Sequence, residues 1–192
     1  YTYHQLKKLT NQAANVLQRH STLEKGDRLF VFMPRSPELY FTLLGGLKLG
    51  LIVGPLFEAF MEEAVYDRLM DSEAKAIVTT PELLERVPLD KLPKLETIFL
   101  VGKDIEETNQ VVDFNSCLQE ASKDFEIEWV DLEDPMLIHY TSGSTGKPKG
   151  IVLAHKAMVQ QLQTARWVLD LREDDIYWCT ADPGWVTGTV YG

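Results

Sequence analysis

Apolar residues at Leu6, Leu9, Ala13, Val16 and Leu17 recur at helical spacing, and Thr2 stands where a helix cap belongs. Lys25, Gly26 and Asp27 then break the pattern. The run Arg28–Met33 that follows is short and almost wholly apolar, which predicts a buried strand. Ser36, Pro37 and Glu38 open a second predicted helix, with proline at the first helical position and an acid in the first turn; it should end near Lys48 to Gly50. Beyond it the alternation continues: a strand at Leu51–Val53, a helix at Glu58–Asp71, a strand at Ala74–Thr79, a brief helix from Thr80, and a strand at Thr97–Val101. Strands that follow helices at short loop distance imply an α/β fold with a mostly parallel sheet flanked by helices. Phe114, Cys117, Leu118 and Ala121 again have helical spacing. Met136–Tyr140 and Ile151–Leu153 are strand-like, and a helix is expected from about His155 to Leu169.

Charge sharpens this picture. The 192 residues carry a net charge of −10, yet the stretch Asp104–Asp134 alone holds eleven acids and one base, so the rest is neutral. Pro135–Leu169 contains Lys147, Lys149, Lys156 and Arg166 and no acid. A nucleic-acid partner would require a broad basic surface, which is absent, whereas a compact anion suits the basic segment. The longest apolar runs, such as Leu49–Phe57, are broken by glycine and proline and are too short to span a bilayer. Cys117 and Cys179 make neither a C-x-x-C pair nor a zinc spacing, and they read as reduced thiols of a cytoplasmic protein. The chain opens on Tyr1 and stops at Gly192 without polar tails, so it reads as a segment of a longer protein.

The chemistry is concentrated between two strand-like runs. Thr141, Ser142, Ser144 and Thr145 supply hydroxyls, Gly143, Gly146 and Gly150 free the backbone, and Lys147 and Lys149 supply positive charge. Such a loop brings N–H groups and ammonium groups close to phosphate oxygens. A Gly/Ser-rich hairpin or tether is the alternative, but it leaves two lysines without a carboxylate unexplained. Only Ser144 and Thr145 separate Gly143 from Gly146 and Lys147, and Pro148 follows, so this is not a Walker loop. The dinucleotide fingerprint and the protein-kinase catalytic motif are also missing.

The eleven residues Tyr140–Gly150 resemble, at every position, the phosphate-loop signature of the adenylate-forming superfamily, which includes acyl-CoA synthetases, luciferases and peptide-synthetase adenylation domains. Trp178–Gly188 resembles the acetyl-CoA synthetase branch, as Pro55–Phe60 does more weakly; Tyr1–Leu6 with Gly26 and Asp27 resemble the start of the same large domain. The resemblance implies that residues 1–192 form one incomplete domain segment: an α/β part at 1–134, and a phosphate-loop and acyl-pocket part at 135–192, with the small C-terminal domain absent. It implies an ATP-dependent acetate (short-chain acid)–CoA ligase that forms an acyl adenylate and then a thioester. Thr141, Ser142, Gly143, Ser144, Thr145, Gly146, Lys147 and Lys149 would hold the ATP phosphates on a loop that is mobile in the family. Trp185, Val186, Thr187 and Gly188 would wall the acyl and coenzyme A pocket. The magnesium ligand and the catalytic lysine of the family would lie beyond Gly192, so this segment alone should be inactive and has no metal site of its own.

Other readings stand beside these. Trp185 and Val186 could be core, Asp182, Pro183 and Gly184 could be only a turn, and His139 and His155 read as structural. Glu62 and Glu63 read as a solvated helix face, and Arg35 as a surface partner of Glu38. The alternatives for function are a medium-chain or aryl acid–CoA ligase, another adenylating enzyme, or a non-catalytic nucleotide-binding module. An exposed sheet edge or apolar face is expected where further chain would pack.

Overall fold

Leu29, Val31 and Met33 pack to one side of a strand and Phe30 and Phe32 to the other, and all five are buried. A strand covered on both faces belongs in the middle of a parallel sheet with helices on each side. The computed structural model, which describes residues 1–141 and 146–191, has that architecture. The elements are α1 (Tyr3–Arg19), β1 (Arg28–Phe32), α2 (Pro37–Lys48), β2 (Ile52–Leu56), α3 (Glu62–Asp71), β3 (Ala76–Thr79), α4 (Pro81–Leu84), β4 (Thr97–Leu100), β5 (Val111–Asp113), α5 (Phe114–Glu120), β6 (Pro135–Thr141), β7 (Lys149–Ala154), α6 (Ala157–Trp167) and α7 (Val186–Val190). The strands form one sheet in the order β5-β4-β3-β1-β2-β6-β7. Every pairing is parallel except β6 with β7, which is antiparallel. Helices α1, α2 and α5 contribute to the core on one face, α3 and α4 to the core on the other.

Local signals in the sequence set most of these boundaries. Thr2 and Gln5 form a reciprocal capping box at the start of α1. Pro37 occupies the first turn of α2. Gly45 lets α2 lie against α1, since a Cβ there would stand 2.9 Å from that of Ala13. α1 also carries a buried polar stripe. Asn11 donates to the Lys123 carbonyl, Gln12 to those of Leu118 and Ala121, and Asn15 to those of Ser122 and Asp124. The acidic stretch is thereby fastened to the N-terminal helix by its backbone, while most of its carboxylates face solvent.

Four elements depart from the sequence expectations. β2 runs on through Gly54 and Pro55 to Leu56. Proline donates no hydrogen bond, and the β2–β6 ladder is confined to Val53 and Leu137, short of the carboxyl ends of both strands. α3 begins at Glu62 instead of Glu58, because residues 57–60 close a turn with the Phe60 amide donating to the Phe57 carbonyl. β5 and α7 were not foreseen. The first is three residues long, and the second is rich in β-branched residues that disfavour helix. The expected open surface is present: Ile151 and Val152 on β7, and Met158, Val159 and Leu162 on α6, are exposed, and α6 buries no residue.

Close packing around Gly54 gives a stability test. A Cβ at this position would come within 2.5 Å of the ring of Phe30, which is fully buried. Gly54→Ala is expected to lower unfolding stability by about 1–3 kcal/mol in urea titrations, as overpacking of a filled core does. An unchanged midpoint would show that the Phe30 ring can move aside.

Candidate functional site

In a parallel sheet of this kind, ligands bind outside the carboxyl ends of the strands. Both sequence motifs lie at those ends. Thr141 ends β6 and pairs with Lys149 of β7, while Tyr140 pairs with Gly150. Ser142, Gly143, Ser144 and Thr145 lie outside the described residues. Of the expected phosphate-binding residues that are described, Thr141, Gly146, Lys147 and Lys149 are all exposed. Gly146 has φ +106°, with nothing within 4 Å of a notional Cβ, so glycine is needed there for backbone conformation and not for room. Lys147 has an 89% exposed side chain, and its ammonium lies 4.0 Å from Asp67 on α3. An ion pair that long and that open to water holds the lysine weakly and leaves it available to an anion.

The second motif is folded over the ends of β1 and β2. Asp182 is its pivot. One carboxylate oxygen accepts from the Gly184 amide at 2.8 Å, and the other accepts from Arg35 Nε at 3.2 Å. The Asp182 carbonyl accepts from the Trp185 amide at 2.9 Å. Residues 182–184 are therefore a turn, as the sequence suggests, but one that also recruits Arg35. The expected Arg35–Glu38 pair gives way to this contact, which spans 147 residues and has no local signature. Gly184 lies on Phe57, just after β2; a Cβ would meet the Phe57 backbone at 2.5 Å.

From that turn α7 starts. Trp185 and Val186 are 57% and 44% exposed, so neither is a core residue here. The Trp185 ring lies 6.0 Å from that of Phe57. Thr187 is also exposed, and its carbonyl accepts from Cys179 Sγ at 3.7 Å. Gly188 is buried behind them, where any side chain would strike the Asp182 carbonyl oxygen. Three of the four expected acyl-pocket residues thus face solvent, and the fourth is required for close packing.

Beneath the loop stems is a cluster that the sequence did not announce. The Tyr140 hydroxyl donates to Asp71 at 2.7 Å. The Arg68 guanidinium lies 4.1 Å from the centre of the Phe60 ring and 5.7 Å from that of Tyr140. Burial pushes the Arg68 guanidinium down from its ordinary range; burial, with the bond to Asp71, pushes the Tyr140 hydroxyl up. Asp67, Arg68 and Asp71 lie within two turns of α3, but nothing in one dimension joins them to Tyr140.

The two central histidines are both drawn in from solvent. His139 is 4% exposed, its Nε2 finds no partner among the described residues, and burial lowers its pKa to about 4. His155 lies at the start of α6, where its backbone amide donates to Asp134; burial lowers its pKa too. Among the described residues no three carboxylate, imidazole or thiolate groups converge as metal ligands. No helix among them is long and apolar enough to cross a membrane.

Comparison with known proteins adds the following. The family model described as AMP-binding enzyme matches residues 1–192. The chain is 60% identical to the acetyl-coenzyme A synthetase of Bacillus subtilis over 192 residues, all of this chain and 34% of that protein. It is 37% identical to the acetyl-coenzyme A synthetase of Wolinella succinogenes, covering 99% of this chain and 32% of that one. The chain therefore spans about a third of the length of these relatives. Among solved structures, the Brucella canis acyl-CoA synthetase superposes with a TM-score of 0.90 at 29% identity, over 99% of this chain and 34% of that one. The anthranilate CoA ligase AuaEII, solved with anthranoyl-AMP, gives 0.79 at 26% identity over 88% of this chain and 32% of its own.

His139 makes acid stability testable. It is neutral in the fold down to about pH 4, whereas the unfolded chain takes up its proton near pH 6.5. Stability from this residue is full above pH 6.5 and is lost as pH falls towards 4, by about 3 kcal/mol in all, with no further loss below. His139→Gln should flatten that part of the profile in urea titrations compared at about pH 7 and about pH 4.5. An identical acid loss in the variant would assign it to other groups.

Proposed function

The chain belongs to the AMP-binding enzyme family, and on that premise we propose that it is the phosphate-binding and acyl-pocket portion of an ATP-dependent acetate–CoA ligase. The observation that carries this reading is that the stems of the Tyr140–Gly150 loop and the Trp178–Gly188 segment lie at the same end of the parallel sheet. In the proposed reaction a carboxylate oxygen attacks the α-phosphorus of ATP and pyrophosphate leaves. The thiol of coenzyme A then attacks the acyl carbon and displaces AMP. Adenylation is needed because a free carboxylate has no adequate leaving group.

This chain's part in the first step is positioning and charge neutralisation. Thr141, Gly146, Lys147 and Lys149, with Ser142, Gly143, Ser144 and Thr145, would hold the β- and γ-phosphates. Trp185, Val186 and Thr187 would face the acyl group and the arriving thiol, with Gly188 allowing the turn that presents them. A magnesium ion belongs to the same proposal, with its ligand outside these residues. Small-molecule partners and a cytoplasmic location complete the reading, and the two unpaired cysteines support the location.

The test uses a chimera in which this chain replaces the matching third of the Bacillus subtilis acetyl-coenzyme A synthetase. Acetate-dependent exchange between ATP and pyrophosphate is expected in the chimera, and none from the 192-residue chain alone. Lys149→Ala in the chimera should slow exchange by about 100-fold. Its melting temperature should move by no more than about 2 °C, as for an exposed side chain. Exchange that survives the substitution would remove Lys149 from phosphate binding. Faster exchange with butyrate or benzoate than with acetate would move the assignment to a medium-chain or aryl ligase.

A further inference from the structure

Arg68 poses a problem that packing does not solve. It is 8% exposed, its Nη1 donates to the Ala64 carbonyl at 2.7 Å, and its Nε is buried without a partner among the described residues. A buried cation with an unsatisfied N–H is costly, and an apolar side chain would fill the same space at less cost. What the charge does gain is two aromatic faces, those of Phe60 and Tyr140. Tyr140 immediately precedes Thr141, and its hydroxyl is fixed by Asp71, three residues after Arg68. Opposite Tyr140 in the ladder stands Gly150, where a Cβ would lie 3.2 Å from the tyrosine ring. One turn of α3 earlier, Asp67 lies near Lys147 on the other side of the loop. Asp67 and Asp71, four residues apart, share one helix face.

We propose that Asp67, Arg68 and Asp71 of α3 are positioning residues that hold both stems of the phosphate-binding loop, and so set the affinity of the site for the polyphosphate of ATP. This deepens the ligase reading and rests on it for the identity of the ligand. Asp71 and Arg68 grip the β6 stem through Tyr140, which fixes the direction of Thr141 and, across the ladder, of Lys149. Asp67 acts on the other stem, holding the Lys147 ammonium loosely enough to be exchanged for phosphate oxygens. The Tyr140 hydroxyl is suited to the task because its surroundings keep it protonated and hence a donor.

Two measurements separate the anchor from its function. On the 192-residue chain, amide hydrogen exchange at Thr141 and Lys149–Ile151 should quicken by about tenfold in Tyr140→Phe and Asp71→Ala. That is the effect of losing a hydrogen bond to a charged acceptor. Asp71→Asn keeps an acceptor and should recover most of the protection. In the chimera, Tyr140→Phe and Asp71→Ala should raise KM for ATP by about tenfold, with KM for acetate and kcat held within about twofold, and Asp71→Asn should again recover. Unchanged amide exchange would overturn the anchor. Faster amide exchange with an unchanged KM for ATP would reduce the cluster to a structural role and overturn its link to nucleotide. A wild-type chimera with no ATP–pyrophosphate exchange would overturn the ligase reading itself, while amide exchange on the chain would still decide the anchor.

Discussion

The double-sided burial of β1 is the constraint on which the rest of the structure depends. With Leu29 and Val31 packed to one side and Phe30 and Phe32 to the other, neither face of the sheet can meet water at β1, and helices must cover both there. Most returns to the sheet then pass through a helix, and the first six strands run the same way. All their carboxyl ends fall on one side. The turn after β2, the stems of the loop after β6 and the segment leading to α7 all lie on that side because of this, and not because their sequences attract one another. Pro55 adds a local consequence: the β2–β6 ladder stops before the strands do.

Electrostatics follows the same division of labour. The entire net charge of −10 belongs to residues 104–134, which are tied down through backbone carbonyls and project most of their carboxylates to water. The loop stems sit in a segment free of acids, and the carboxylates near them come from another element, α3. A weak contact from Asp67 and a strong one from Asp71 serve different ends on the two stems. The chain is acidic as a whole and locally basic around the loop, and the two properties do not conflict because they reside in different elements.

How much of this could be read in one dimension depends on the range of the interaction. The capping box of α1, the proline that starts α2 and the alternation around β1 are local, and the sequence declares each of them. β5 is too short to announce itself, and β2 runs through a proline that ordinarily argues against a central strand. At the site, the glycines and lysines of the loop speak through composition, whereas Trp185 to Gly188 are legible only through family resemblance. Arg35 with Asp182, and Arg68 with Tyr140, were not legible at all. Each joins residues far apart in the chain, and the more local guess, Arg35 with Glu38, was the wrong one.

The polar stripe of α1 bears on how the molecule is made. Asn11, Gln12 and Asn15 find their acceptors 106 to 112 positions further on, so helix and partner loop are separated by more than half the chain. During synthesis α1 leaves the ribosome well before residues 118–124, so its buried side-chain amides lack those acceptors until residue 124 has emerged. Contacts of such long range must wait for slow chain closure. The helix α1 is thus made well before the loop that locks it, and is among the last parts of this fold to be fixed in place.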